Sequence, residues 1–314
     1  MTRARPLLLA RAAFVVLTVA FAWWGFRGRW DEIGDAIATT GPGELLLAVA
    51  VALAGLLLTA VLWRHLLSRL GSSVPQRDAA AIFFVGQLGK YIPGSVWSFA
   101  AQAQLGRRHR VPARSSVAAS SVFLLLHTFS GVTLGSALAA AGVLDTDLPR
   151  WLWALAAVAG VAALLPPIVR PLGSRIAGRP LVEEAGNGRH ETYTARDLAV
   201  AVALMLGTWT AYGAALVVLL PSTVDPAAVV GAFALSHAAG VLLVFAPAGL
   251  GAREGVLIAL LGPAVGTAPA AAAALLARVV HTVADFLAAA AAAATSRATE
   301  PARADEKHAR SASC

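Results

Sequence analysis

The sequence predicts an all-α polytopic membrane protein with about six spanning helices and two oppositely oriented re-entrant half-helix pairs. Of its 314 residues, 58% are hydrophobic and only 13% are charged, whereas a soluble domain carries about 25% charged residues. The apolar residues form long runs, and long alternating strand patterns are absent, so the backbone must satisfy its polar groups within helices. Two further apolar stretches are interrupted by proline and glycine, which predicts broken helices at membrane depth.

Six uninterrupted runs approach the length of about 20 residues that crosses a bilayer. They cover residues 7–24, 45–63, 116–143, 151–169, 198–220 and 269–294. We interpret the first run as a retained helix, because it ends at an aromatic pair and lacks the small-residue site at which a signal peptide is cleaved. Tryptophans at the ends of runs, among them Trp63, Trp151 and Trp153, are expected to be interfacial anchors.

The basic residues predict the orientation. The N-terminal arginines place that end of the chain in the cytoplasm, and most of the 25 Lys and Arg residues then fall in segments assigned to the same side. Exceptions assigned to the outside are Arg27, Arg29 and Arg150. We therefore expect a multi-pass protein of a bacterial-type cytoplasmic (inner) membrane, with both termini inside.

The two interrupted stretches are predicted to enter the membrane from opposite sides. Residues 79–105 have basic clusters at both ends and are too short for two crossings, which predicts a re-entrant pair from the cytoplasm. Residues 227–261 follow a segment without basic residues, which predicts a pair that enters from outside, although residues 227–246 alone could span. The chain would then form an inverted repeat with halves of about 1–145 and 150–295, a membrane domain over 1–295, and a disordered cytoplasmic tail over 296–314.

The first break is a candidate binding site for an anionic group. Lys90 and Tyr91 precede the Pro93-Gly94 break, and Trp97 follows it. The half-helix after such a break presents free N–H groups and a positive dipole end, and Lys90 adds a full charge. The alternative is an interfacial loop from which Lys90 extends to water.

The second break carries a similar combination. Gly249 and Gly251 precede the adjacent charged pair Arg253 and Glu254. Adjacent helical residues do not face each other, so Arg253 and Glu254 should have different partners. The alternative is an ordinary loop between two helices.

A polar stripe is predicted in the last helix. Arg278, His281, Thr282 and Asp285 have the spacing that places side chains on one face of a helix. A structural Arg–Asp bridge between helices is the alternative to a transport role. Five charged side chains at membrane depth would cost on the order of 15 kcal/mol if they faced lipid, so we expect them to share a polar interior.

Other chemistries are not indicated. The single cysteine, Cys314, supplies no disulfide framework or metal site, no catalytic constellation or phosphate-binding loop stands out, and we expect neither a metal nor a cofactor. The net charge of +8 does not indicate nucleic-acid binding, because the basic residues flank apolar runs. His127 and His237 are expected to form hydrogen bonds between packed helices rather than to carry protons.

The residues around both breaks resemble those of a known family. Residues 86–97 are similar to a signature of the lysylphosphatidylglycerol synthase transmembrane-region family, the flippase-type membrane domain of multiple peptide resistance factors. Residues 247–255 resemble the second signature of that family, and Arg278 resembles an arginine of its last helix. Ala248 stands where the family has glycine, and His127 where members often have an acidic residue.

The resemblance implies movement of a phospholipid or polyprenyl-linked lipid between leaflets. From the residues themselves we expect an anionic headgroup to bind at the two breaks. Full-length resistance factors carry a C-terminal aminoacyltransferase domain, which we do not find in this sequence, so lysyl transfer is not implied. Two alternatives stay open: a non-transporting membrane subunit that supports a cell-envelope glycosyltransferase, and an enzyme that modifies lipids.

Overall fold

A computed structural model describes residues 30–91, 97–178, 182–185, 188–191, 193–243, 249 and 251–297. These residues are almost entirely helical. The helices in chain order are α1 (Trp30–Ala38), α2 (Pro42–Arg69), α3 (Gln76–Gln87), a 3₁₀ turn (Leu88–Tyr91), α4 (Trp97–Arg108), α5 (Ala113–Ala140), α6 (Arg150–Leu164), α7 (Pro166–Ala177), α8 (Ala195–Val217), α9 (Pro226–Leu242), α10 (Ala252–Val265) and α11 (Thr267–Arg297).

Four of these helices are long and apolar enough to cross a membrane, namely α2, α5, α8 and α11. They coincide with four of the runs predicted from the sequence. A fifth run, residues 151–169, was predicted as one span but forms two helices bent by 49°. The bend follows Leu165, where Pro166 begins α7 without a backbone donor. The first predicted run, residues 7–24, lies outside the described residues.

Two elements were missed from the sequence. Helix α1 lies in a segment that was assigned to the outside without secondary structure, yet it packs against α11. With nine residues it is too short to be recognised as a membrane span. The charged loop before α8 contains an antiparallel hairpin, in which β1 (Val182–Ala185) pairs with β2 (Gly188–Glu191). This hairpin is the departure from an all-α fold within the described part of the chain.

Both interrupted stretches form a helix, a break and a second helix. At the first break α3 and α4 pack against each other, and at the second break α9 and α10 do so. Each pair therefore folds back on itself, the shape that a re-entrant pair requires. The side from which each pair enters the bilayer, and the inverted repeat, stay predictions.

An aromatic core holds the first pair in place. Trp63 was predicted to be an interfacial anchor, but it is fully buried, because its indole ring packs 5.7 Å from the ring of Phe83. Its Nε1 donates a hydrogen bond of 3.0 Å to Oγ of Ser120, which in turn donates to Oε1 of Gln102. This chain links α2 and α5 to α4. Trp151, by contrast, is 66% exposed, as an interfacial anchor would be.

Candidate functional site

A cavity of about 380 Å³ lies between the two broken segments. This volume is within the range of small-molecule sites, about 300–1,000 Å³. Lys90, Tyr91 and Ser98 line it beside the first break, and Leu243, Gly249 and Arg253 line it beside the second. Helices α2, α5, α8 and α11 complete its wall, so both breaks contribute to one partly open cavity.

Two glycines allow the chain to fold this closely. A side chain on Gly89 would place its Cβ 2.6 Å from the backbone nitrogen of Ser98, across the first break. Gly249 has a φ of +70°, and a Cβ there would lie 2.7 Å from Cα of Gly240. Only glycine fits such close backbone contacts, and only glycine adopts positive φ without strain. The two glycines thus bring each pair of half-helices together at the cavity.

The first break is tied to the last helix by a carboxylate. Nζ of Lys90 lies 2.6 Å from Oδ2 of Asp285, and the hydroxyl of Tyr91 donates a hydrogen bond of 2.6 Å to the same oxygen. The Asp285 side chain is only 8% exposed, so these two partners offset its removal from water. Tyr91 also stacks on Phe286 of α11, with 5.6 Å between ring centroids.

The second break is tied to the same helix with the opposite polarity. Nε of Arg278 lies 2.6 Å from Oε1 of Glu254, and the other carboxylate oxygen of Glu254 accepts a hydrogen bond of 2.7 Å from the backbone N–H of Gly251. Glu254 therefore caps the first turn of α10 and pairs with α11 at once. The two ion pairs connect both broken segments to one helix.

Arg253 differs from the other cations of the cavity. Its guanidinium lies 4.6 Å from the ring centroid of Phe233, and within the described residues its Nη2 is buried without a hydrogen-bond partner. Lys90 and Arg278 already have carboxylate partners. Among the described residues, Arg253 is thus the cation of the cavity wall that forms no ion pair with a carboxylate.

Three histidines extend the cavity away from Arg253. His127, His237 and His281 line it, and the rings of His127 and His237 lie 4.8 Å apart. Nδ1 of His127, Nδ1 of His237 and Nε2 of His281 are buried without a partner among the described residues. The expectation that His127 and His237 join packed helices by hydrogen bonds stays a prediction, since only their Nδ1 atoms are seen to lack a partner among the described residues.

The sequence matches a known protein family. The model of a family described as "Lysylphosphatidylglycerol synthase TM region" matches residues 9–289. The chain belongs to this family. Comparison with curated proteins gives no significant match. Together with the apolar helices, the family match makes the chain a multi-pass membrane protein.

The structure of this family member brings most predicted site residues together. The cavity is lined by Lys90, Tyr91, Gly249, Arg253, Arg278, His281, Thr282 and Asp285. Gly251 and Glu254 do not line it; the N–H of Gly251 donates to Glu254, which pairs with Arg278. Trp97 does not line it and is 46% exposed. Pro93 and Gly94 lie outside the described residues. Substrate binding by any of them stays a prediction.

Two partnerships in this family member differ from the sequence expectations. Arg278 and Asp285 share a helix face as predicted, yet they do not form the Arg–Asp bridge that was the structural alternative. Each bonds to a different broken segment, Arg278 to Glu254 and Asp285 to Lys90. Arg253 and Glu254 do have different partners, as their adjacency predicted.

Several residues that line the cavity were not predicted from the sequence, including Gln102 and Tyr212. The histidines of α5 and α9 were noted, but not as residues of a cavity wall. Tyr212 and the histidines lie in apolar helices, and Gln102 lies in the more polar helix α4, so no local spacing marks them. The one available signal was their polarity within candidate spans, which is uncommon for a lipid-facing position.

Proposed function

We propose that this protein is a lipid translocase that moves an anionic phospholipid or polyprenyl-linked lipid between the leaflets of a bacterial-type cytoplasmic membrane. The observation that supports the proposal is Arg253, which lines a headgroup-sized cavity and forms no ion pair with a carboxylate among the described residues. A negatively charged headgroup supplies the missing partner. The family match, which names a membrane region of a lipid-modifying system, agrees with a lipid as the ligand.

The charges around the cavity favour one negative charge on the ligand. Lys90, Arg253 and Arg278 are the cations of its wall, and Asp285 and Glu254 are the carboxylates that neutralise two of them. One positive charge is left over within the described residues. A single phosphodiester matches this surplus, and a guanidinium binds phosphate oxygens through two parallel hydrogen bonds.

Exposed apolar side chains at the cavity favour entry from the bilayer. Leu124 and Leu243 line it and are 37% and 50% exposed. Phe286, which stacks on Tyr91, is 52% exposed. Charged side chains within mostly apolar walls would let a headgroup bind while the acyl chains remain in lipid, and a volume of about 380 Å³ suits a headgroup rather than a whole lipid.

The proposed mechanism uses the two breaks as the two sides of the path. If the pair α3–α4 enters from the cytoplasm and the pair α9–α10 from outside, a headgroup at Arg253 lies between the two entrances. Movement of either pair against α11 would then open the cavity to one leaflet, as in transporters built from inverted repeats. The proposal assigns no chemical step to the protein.

Transfer of labelled lipids in proteoliposomes tests this function. The purified protein is reconstituted with headgroup-labelled anionic lipids, and an impermeant quencher then reports the fraction on the outer leaflet. We expect quenching to exceed the outer-leaflet half with the protein and to stop at that half in protein-free liposomes. Equal quenching in both, with folded protein and several anionic lipids, contradicts the proposal and favours a non-transporting subunit.

A further inference from the structure

A second, smaller cavity lies between the last turns of α2 and the first turns of α8. Its volume is about 200 Å³. On α2 it is lined by Val61, Arg64 and Ser68, whose spacing places them on one face of the helix. Val200 and Leu204 of α8 form the opposite wall, and the loop that follows α2 closes one side. None of these residues lines the cavity between the two breaks, so this is a separate site.

An ion-pair cluster next to this cavity joins the ends of the two helices. Nε of Arg69 lies 2.8 Å from Oδ1 of Asp197, and Nε2 of His65 lies 3.0 Å from the same oxygen. Both helices are long enough to cross the membrane, so the C-terminal end of α2 and the N-terminal end of α8 lie on one side of it. The basic residues predict that this side is the cytoplasm, where the leaflet carries anionic lipids.

Arg64 has no carboxylate partner among the described residues, unlike Arg69 and His65, which both contact Asp197. Its Nε donates a hydrogen bond of 3.0 Å to the carbonyl oxygen of Val74. This bond holds the guanidinium beside the loop that closes the cavity. The two terminal NH₂ groups of the guanidinium are then the donors available for an anion.

The α2 side of the cavity changes from apolar to polar along the helix. Leu57 and Val61, both exposed, precede Arg64 on the same face, and Ser68 follows it near the end of the helix. Val200 adds exposed apolar surface from α8. A phospholipid has the same order, with acyl chains toward the bilayer centre and its phosphate at the interface. A free phosphate ion would leave this apolar surface uncovered.

The size and charge of the cavity limit what it binds. A volume of about 200 Å³ is below the range of about 300–1,000 Å³ for small-molecule sites, so it suits a phosphate group rather than a complete headgroup. A net anionic lipid matches the charge of Arg64. A choline headgroup would instead bring a second cation close to the guanidinium.

We propose that this cavity binds an anionic phospholipid of the cytoplasmic leaflet, with the phosphate at Arg64 and an acyl chain against Val61 and Val200. The bound lipid joins the ends of α2 and α8 and is not moved between leaflets. Because the site is separate from the cavity between the breaks, this inference does not rest on the proposed function. Absence of lipid transfer leaves it standing.

Protection of a thiol in this cavity tests the site with the full chain in lipid nanodiscs. Cys314 is replaced by serine, and Ser73→Cys then places one thiol in the cavity wall, since Ser73 lines the cavity and is exposed. A water-soluble, uncharged maleimide measures the rate of modification. We expect this rate to be about fivefold lower or less in nanodiscs of phosphatidylglycerol and phosphatidylcholine than in phosphatidylcholine alone, because a charge-assisted hydrogen bond favours the anionic lipid by about tenfold. Inorganic phosphate added to phosphatidylcholine nanodiscs should not protect the thiol.

Four further variants separate the charge of Arg64 from other effects. Arg64→Gln should abolish the protection, whereas Arg64→Lys, which keeps the charge but loses the bond from Nε to Val74, should retain most of it. Arg175→Gln is the matched control and should retain all of it, because Arg175 is exposed on α7 and lines neither cavity. Ala195→Cys, at the exposed start of α8 and outside the cavity, reports the general effect of surface charge on a thiol and should not be protected.

Equal rates at position 73 with and without phosphatidylglycerol overturn the site. Protection that persists in Arg64→Gln, or that appears equally at position 195, overturns it as well. Protection by inorganic phosphate alone would show an anion site without a lipid and contradicts the proposal. If Arg64→Gln does not fold, the comparison of the two thiols across the same membranes decides.

Discussion

The ammonium of Lys90 lies 2.6 Å from Oδ2 of Asp285, which joins the first broken segment to the last helix. The two partners differ in burial, since the side chain of Lys90 is 38% exposed and that of Asp285 only 8%. Removal of the lysine leaves a buried carboxylate that still accepts the hydrogen bond from the hydroxyl of Tyr91. Removal of the carboxylate leaves an ammonium that can extend to water.

Substitutions of the two partners should therefore lower the stability by unequal amounts. Lys90→Met should lower the melting temperature more than Asp285→Asn does, because an unpaired buried charge is costly. The double variant should be more stable than the sum of the single effects predicts, with a coupling of about 1–2 kcal/mol. Thermal unfolding in detergent measures all three variants. Additive effects would show that the ion pair contributes nothing.

Gly249→Ala should destabilise the fold at the second break. Its φ is +70° and its added Cβ would lie 2.7 Å from Cα of Gly240, so strain and overlap combine to cost about 2 kcal/mol or more. Gly255→Ala is the control, because Gly255 lies in α10 with no atom within 4 Å of the added Cβ. It should be neutral or slightly stabilising. Equal melting temperatures for the two variants would contradict the close approach of α9 and α10.

Tyr193, next to the start of α8, should make stability depend on pH in alkali. Burial and the nearby charge of Asp197 raise the pKa of the Tyr193 phenol from 10.0 to about 12. Between these two pH values the unfolded chain loses the proton first, so the free energy of unfolding falls as pH rises. The total loss is no more than about 3 kcal/mol.

Tyr193→Phe should remove this part of the alkaline loss. Because Oη of Tyr193 is buried without a partner among the described residues, the variant should be no less stable than the unmodified protein near pH 8. Chemical denaturation at pH 8 and at pH 11 compares the two proteins. The same decrease in both would show that Tyr193 titrates normally.

The sequence predicts those parts of the fold that depend on local pattern. Apolar length identifies α2, α5, α8 and α11, because a span must be about 20 residues long. Proline and glycine identify both breaks, because their backbone limits act at the residue itself. The bend after Leu165 follows the same rule, and the paired prolines at its start were an available signal.

Partners across the fold could not be predicted in this way. The helix periodicity places Arg278 and Asp285 on one face, but only tertiary packing decides that Glu254 and Lys90 bind them. Trp63 shows the same limit, since an aromatic residue at the end of an apolar run suits either an interface or a core. The histidines of α5 and α9 lie close together because those helices pack against each other. The residue spacing within either helix does not predict that contact.

The opposite entry of the two breaks is testable by cysteine labelling. The single native cysteine, Cys314, is replaced by serine, and Ser98→Cys or Ala252→Cys then places one thiol near each break. An impermeant maleimide should label Ser98→Cys from the cytoplasmic side and Ala252→Cys from the outer side. Labelling of both from one side, or the reverse pattern, would contradict the inverted arrangement.

The rate of anionic-lipid transfer by Arg253→Gln proteoliposomes tests the central claim most directly. Arg77→Gln serves as the matched control, because Arg77 is exposed on α3 and does not line the cavity. Loss of a charge-assisted bond to phosphate should slow transfer by about tenfold or more in Arg253→Gln. Arg77→Gln should transfer lipid as fast as the unmodified protein. Equal rates for all three proteins, with transfer above the protein-free level, would contradict the assignment of Arg253 as the headgroup-binding residue.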